Sequence, residues 1–451
     1  MSSDIKNIID NLVFKAKESL DRFSDFNQEK IDIIVEKMYL SGSKKSKILA
    51  KLAYEETKRG VIKDKIEKNI FSTKNVFEYI KNKRTVGIIN YDKELGCVEI
   101  ADSIGVIAGV TPVTNPTSTV MFKSLICFKT RNPIIFGFHP GAQKCSVEAA
   151  KILKQAALEN GAPENCIQWI ETPSIEATNY LINNFGVDLV LATGGSAMVK
   201  AAYSTGKPAL GVGPGNVPCY IEKTADLKKA CENIIISKTF DNGMICASEQ
   251  SVIVDKEIFL EFEKIMKKEN CYFLNNQEVE KLSKFIVIRE NHILNTDIVG
   301  KSAYWIAKQV DIDLPENTKI LIAKLKNNNI GRNFPLSWEK LSPILAYYVS
   351  ENNDLAIEIS EKILNLGGLG HTSVIHSKDL NLISKFGLKI KTGRVLVNSP
   401  ASQGAIGGIY NKNIPTLTIG CGSYGKNSTT DNISIKNLIN IKRIFDFHKT
   451  N

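Results

Sequence analysis

Apolar residues at three- and four-residue spacing dominate the first 83 positions, beginning with Ile5, Ile8, Ile9, Leu12 and Val13, and that period predicts a run of helices. The pattern changes at position 85. Two short apolar runs, 85–89 and 97–100, flank the turn-forming Asn90-Tyr91-Asp92-Lys93 and predict a β-hairpin. Residues 104–110 read as a buried strand. From there the chain alternates, with strands at 132–136, 167–170 and 188–192 and helices at 145–159, 175–183 and 197–204. Such alternation predicts a parallel sheet covered on both faces, with ligands at the carboxyl ends of its strands. A second alternating set has helices at 226–240, 256–268 and 354–365 and strands at 251–254 and 318–322; residues 411–447 return to short strands and turns. The expected architecture is α/β, with one domain over 1–221 into which the hairpin 83–101 is inserted, a second over 222–410, and a C-terminal return at 411–451.

At 451 residues the chain is long enough for two or three cores. No apolar run approaches the roughly 18 residues of a membrane span. The start, Met1-Ser2-Ser3-Asp4, lacks the basic and apolar regions of a signal peptide. The net charge of +10 comes from lysines scattered without a basic block or an aromatic-interleaved stripe, so no nucleic-acid partner is expected, although a polyanionic small ligand gains from the same field. Nine cysteines, at 97, 127, 145, 166, 219, 231, 246, 271 and 421, include no C-x-x-C pair; an odd count in a large chain argues for reduced thiols and against a disulfide framework. Five histidines (139, 292, 371, 376 and 448) form no H-E-x-x-H, and no metal site is expected.

Five segments carry candidate chemistry. Phe240-Asp241-Asn242-Gly243 reads as a tight turn, because Asn-Gly favours positive φ, and it delivers Cys246 to a place where a thiol of lowered pKa would be a nucleophile. By itself Cys246 is more readily a buried structural thiol. Thr111-Pro112-Val113-Thr114-Asn115 follows a strand and opens a helix, as an oxyanion or phosphate site does, or as an ordinary capped turn does. Ala192-Thr193-Gly194-Gly195 and Gly211-Val212-Gly213-Pro214-Gly215-Asn216 put glycines at strand ends, where backbone can approach a ligand. Glu339 precedes an apolar strand, and His371 sits in the glycine-rich turn Gly367-Gly368-Leu369-Gly370-His371. The spacing Gly420-Cys421-Gly422-Ser423-Tyr424-Gly425 matches a dinucleotide fingerprint, but a polar run rather than an amphipathic helix follows, so it reads as coincidence.

In this order the segments resemble the aldehyde dehydrogenase superfamily, and within it the coenzyme-A-acylating branch, above all the aldehyde dehydrogenase half of bifunctional aldehyde–alcohol dehydrogenases. The runs at 200–213, 241–251 and 402–407 are the longest matches, and the resemblance extends from the first helix to Arg443. It implies an aldehyde-dehydrogenase-like fold with a cofactor-binding domain at 1–221, a catalytic domain at 222–410 and a small β oligomerisation arm built from the hairpin and the tail. It implies that Cys246 attacks the aldehyde and that Asn115 or Thr114 helps hold the oxyanion. It places Val110, Thr111, Pro112, Val113, Thr114, Asn115, His139, Gly195, Gly213, Glu339 and Ile419 at the nicotinamide cofactor, Glu339 on its ribose, and it makes His371 the base for the coenzyme A thiol.

Where hydrolytic relatives carry Glu-Leu-Gly-Gly-Lys, this chain reads Gly211-Val212-Gly213-Pro214-Gly215. No carboxylate is left there to activate water, a loss of about 10²- to 10⁴-fold, whereas a thiol ionises far more readily. The resemblance therefore implies oxidation of a short aldehyde, acetaldehyde first, with NAD rather than NADP and coenzyme A, to acyl-CoA. Sulfoacetaldehyde and succinic semialdehyde are alternative substrates; a hydrolytic enzyme and a non-catalytic scaffold are rival functions. His139-Pro140-Gly141 lacks an arginine common in relatives, and Tyr424 replaces a common tryptophan. A free cytoplasmic enzyme, homodimeric or larger and without membrane partners, is expected.

Overall fold

Helices Ser3–Phe23, Gln28–Lys44, Ser46–Thr57 and Ile62–Ile70 open the chain, and a π turn at Phe71–Asn75 leads into the short helix Val76–Ile80. This computed structural model describes residues 3–288 and 293–445; His292, His448 and positions 446–451 of the expected tail lie outside them. The first helix buries Ile9, Val13 and Ala16, and the second Ile31, Ile34, Val35 and Met38. These stripes belong to the cores on opposite faces of the first sheet. Ile107, Ile134, Phe136, Leu189 and Leu191 share one core with the second helix, which packs on helices Pro116–Lys129 and Gln143–Leu158, while Val106, Ala108, Ile135, Val190 and Ala192 share the other with the first. The strands carry apolar side chains on both faces, as parallel strands between two helical layers must.

That sheet has five parallel strands in the order Ile167–Trp169, Ile134–Gly137, Ile107–Val110, Leu189–Thr193, Ala209–Val212. The chain builds outward from Ile107–Val110 in one direction, then crosses back to add Leu189–Thr193 on its other side. The gap between those two strands is the topological switch point, where a crevice opens. Lys123 lies beneath it, fully buried, donating to the Val110 and Leu191 carbonyls at 2.6 and 2.7 Å. Burial pushes its ammonium down to about 7.

A second sheet has seven parallel strands: Cys271–Leu274, Ile320–Lys324, Ile344–Ser350, Glu249–Asp255, Val217–Ile221, Ser373–His376 and Val395–Val397, in that spatial order. Strand Val217–Ile221 pairs with Glu249–Asp255, so this sheet starts at 217, ahead of a division at 221/222. Residues 213–216 are the whole connection between strand Ala209–Val212 and strand Val217–Ile221. Four residues are too few to cross a sheet, so the carboxyl edge of the first sheet abuts the amino edge of the second. The candidate residues of the first sheet thus lie at the carboxyl ends of its strands, and those of the second precede its strands.

A three-stranded antiparallel arm joins Gly87–Asp92, Cys97–Ser103 and the distant Ile439–Phe445. The hairpin turn sits at 93–96 rather than 90–93. Asp92 Oδ1 accepts the N–H groups of Glu94 and Leu95 and so closes the turn three residues later, with Gly96 at φ 59°.

Candidate active site

Cys246 follows a turn whose backbone is more unusual than its sequence suggests. Asp241, Asn242 and Gly243 all hold positive φ, at 50°, 54° and 74°. Asp241 pays for that conformation with hydrogen bonds: its N–H donates to Asp64 Oδ2, and its Oδ1 accepts the Val61 N–H, both at 2.7 Å. Its Oδ2 receives Lys68 Nζ at 2.5 Å and Lys65 Nζ at 3.1 Å. Asp241, Lys65 and Lys68 are all buried. Burial alone would raise the Asp241 carboxyl, but the two ammonium groups outweigh it and hold it below the ordinary value.

Three loops of the second sheet's amino edge close around the cysteine. Gly215 presses on it from strand Val217–Ile221: a Cβ built there would lie 1.9 Å from the Cys246 carbonyl oxygen and 3.2 Å from His371 Cε1. Glu339, just before strand Ile344–Ser350, accepts the Gly215 N–H at 2.9 Å. His371, just before strand Ser373–His376, is buried; its Nδ1 lies 3.0 Å from Thr372 Oγ1, and its Nε2 has no hydrogen-bond partner among the described residues. Arg394 braces this turn by donating to the carbonyls of His371, Gly420 and Thr430.

The first sheet contributes Asn115. It stands at the N-cap position of helix Pro116–Lys129 but makes no side-chain capping bond. Its Oδ1 instead accepts from Lys68 Nζ at 2.6 Å, and its Nδ2 faces Thr114 Oγ1 at 3.2 Å and the Met244 carbonyl at 3.5 Å. Asn115 thus reaches the cysteine's loop, which a mere helix cap would not do.

Electrostatics corrects one expectation. The turn does not expose a thiol of lowered pKa. Burial, then the nearby Glu339 and Cys421, push the Cys246 thiol up to about 12, against a smaller opposing pull from Arg394. Arg394 donates to three carbonyls and, among the described residues, makes no hydrogen bond to the sulfur. Burial likewise raises the Glu339 carboxyl to about 7, and burial with Arg394 drives His371 down to about 3, leaving a neutral imidazole.

The remaining sequence candidates divide. Val110, Thr111, Pro112, Val113 and Thr114 line the carboxyl end of strand Ile107–Val110 at the switch point, and the buried Thr111 Oγ1 has no hydrogen-bond partner among the described residues. Gly195 begins helix Ser196–Tyr203, and a Cβ built at Gly195 or Gly213 meets nothing within 4 Å, so both stand beside open space. His139 is exposed and accepts the Gly141 N–H on Nδ1. Ile419 is buried with Val212 and Ile245 in the core between the sheets. The segment 420–425 ends in a short 3₁₀ turn, with no helix behind it. Sequence reasoning missed Lys68 and Arg394 as parts of this site, and it named Asp241 and Gly215 only within their segments, without these contacts. Among the described residues no group of three or more His, Cys, Asp or Glu could hold a metal ion, and no helix is long and apolar enough to cross a membrane.

Residues 3–272 match the model of the aldehyde dehydrogenase family. The chain belongs to that family. It is 51% identical over 447 residues to aldehyde-alcohol dehydrogenase 2 of Entamoeba histolytica, covering 97% of this chain but 51% of the relative. It therefore spans about half of that protein. It is 36% identical to the succinate-semialdehyde dehydrogenase (acetylating) of Clostridium kluyveri, with 100% of this chain and 97% of the relative covered. The crystal structure of an acetylating aldehyde dehydrogenase from Geobacillus thermoglucosidasius superposes with a TM-score of 0.96 at 43% identity, covering 99% of this chain and 98% of that one. The α/β fold with its two parallel sheets and antiparallel arm is that of the acetylating enzymes.

Proposed function

We propose that this chain oxidises a short-chain aldehyde with NAD and coenzyme A, reversibly, to acyl-CoA and NADH. One observation carries the reading: the Cys246 loop meets Asn115 at Met244 and Gly215 at Cys246 itself, with Glu339 bonded to Gly215 and His371 beside it, where the edges of two sheets meet, while the 211–215 run that abuts it carries no carboxylate. Acetylating relatives at full-length coverage support the same class.

The residues present fit a nicotinamide cofactor. The orphaned Thr111 hydroxyl, the open space at Gly195 and Gly213 and the switch-point crevice form a cradle for it. Bound there, a nicotinamide would supply the hydride acceptor. After its thiol proton is lost to solvent, Cys246 attacks the aldehyde carbonyl as the thiolate to form a thiohemiacetal, and its own N–H with Asn115 Nδ2 receives the developing oxyanion, each such donor contributing roughly 3–4 kcal/mol. Loss of hydride leaves a thioester on Cys246. The unpartnered His371 Nε2 takes the coenzyme A thiol proton as the sulfur attacks the acyl carbon, and acyl-CoA leaves as the Cys246 thiolate is released. Exposed Ile88, Tyr91, Ile441 and Ile444 on the arm support a homodimer or larger assembly.

The test follows NADH formation with acetaldehyde, with and without coenzyme A, together with acyl-CoA analysis. Turnover that requires coenzyme A and yields acyl-CoA is expected. Glu339 favours a second reading, because a carboxyl near 7 beside the thiol is able to deprotonate water. Equal turnover without coenzyme A, abolished by Glu339→Gln, would establish that hydrolytic reading instead. A panel of C2–C4 aldehydes, with and without carboxylate or sulfonate, then fixes the substrate.

A further inference from the structure

We propose that Lys68 is a positioning residue for this reaction: anchored by Asp241, it fixes the Asn115 amide so that Nδ2 points into the catalytic loop. The inference rests on Asn115 being an oxyanion donor. An ammonium only donates, so the atom of Asn115 that lies 2.6 Å from Lys68 Nζ must be its oxygen. The reverse orientation would press an NH₂ group against a cation. A free asparagine amide flips readily, and half of its orientations would present an oxygen to the oxyanion; Lys68 removes that choice.

The ammonium is itself held. Asp241 Oδ2 lies 2.5 Å away, and the Phe240 ring centroid is 5.6 Å from Nζ. Asp241 belongs to the positive-φ turn that delivers Cys246. One buried cation, on helix Ile62–Ile70, therefore touches both the loop that brings the oxyanion donor and the turn that brings the thiol. It sets the two halves of the site in register without contacting substrate. Lys65 Nζ also reaches Asp241 Oδ2, at 3.1 Å, so the carboxylate has a second cation; the contact that Lys68 alone supplies is the one to Asn115 Oδ1.

A double-mutant cycle on the full chain tests this, using Lys68→Met, Asn115→Ala and the pair, with kcat and KM for coenzyme-A-dependent NADH formation. Asn115→Ala is expected to lower kcat by about 10²- to 10³-fold. Lys68→Met is expected to lower kcat at least tenfold with KM for the aldehyde within twofold. In the Asn115→Ala background, Lys68→Met is expected to cost less than twofold, because the group it orients is gone. Lys68→Arg, which keeps a donor, is expected to recover part of the loss. Equal losses from Lys68→Met in both backgrounds, or an unchanged kcat, would overturn the proposal. An unchanged kcat in Asn115→Ala alone would instead remove the oxyanion reading on which it rests. If Lys68→Met does not fold, Lys68→Gln serves, since its amide accepts either orientation of Asn115; wild-type kcat there also overturns the proposal.

Discussion

Gly215→Ala adds one carbon to a residue whose backbone torsion any amino acid can adopt, so its effect is steric alone. The added Cβ would sit 1.9 Å from the Cys246 carbonyl oxygen, where real contacts of this kind stay beyond 3.0 Å. Relief needs a displacement of at least 3.0 − 1.9 = 1.1 Å. The Gly215 side cannot supply it cheaply, because its N–H is bonded to Glu339 and it lies in a four-residue connection between sheets. The movement falls on the Cys246 peptide, which carries the sulfur and one proposed oxyanion donor. A 1 Å misplacement of reacting groups costs about 10²-fold. Purified Gly215→Ala should therefore fold, melt within a few degrees of wild type, and lose about 10²-fold in kcat for coenzyme-A-dependent NADH formation. Gly195→Ala is the matched control: its Cβ meets no protein atom within 4 Å, so it should leave kcat nearly intact and raise KM for NAD. A Gly215→Ala enzyme within twofold of wild-type kcat would refute the steric argument.

Because the Cys246 thiol is raised to about 12, alkylation by iodoacetamide should accelerate about tenfold per pH unit from 7 to 10 in the free enzyme; a plateau near pH 8 would show the thiolate is already formed. Slow labelling at neutral pH is accordingly no sign of a non-catalytic scaffold. His371→Asn should preserve a single burst of NADH while lowering steady-state turnover by about 10²- to 10⁴-fold, as loss of the base for the thiol requires; loss of the burst would place His371 in the hydride step. The wild-type rate should show no inflection from this imidazole near 6.5, since burial keeps it neutral down to about 3. Asp241→Asn strands two buried ammonium groups and should cost roughly 3–5 kcal/mol in urea unfolding. Since the Asp241 carboxyl is held below its unfolded value, that stabilisation is complete above about pH 5 and fades as acid protonates the folded carboxylate.

The helical opening, the alternating first sheet and the hairpin were legible because each carries enough residues of one period to be distinguished. Strands Cys271–Leu274, Ser373–His376 and Val395–Val397 were not, since three or four residues offer too few alternations. Cys246, Asn115, Glu339 and His371 could be singled out from local motifs, and the fold brings their loops to one place. Lys68 could not: it is one among 58 lysines and arginines, on an amphipathic helix, with partners 47 and 173 positions away. The thiol's pKa was misjudged for the same reason. A turn predicts local geometry, but Glu339 and Cys421, which raise the thiol, come from remote segments.

The antiparallel arm carries a consequence for biosynthesis. Arg443 bonds Glu99 across 344 positions of sequence, so the central strand of the arm gains its second neighbour only after that whole stretch has been synthesised. At about 5–20 residues per second, that strand waits on the order of tens of seconds with one edge of N–H and C=O groups unpaired. Nascent chains on neighbouring ribosomes of one message present the same open edge during the same interval. Newly made subunits can therefore meet at the arm before either has closed it, which makes assembly and edge-to-edge aggregation competitors for the same few residues.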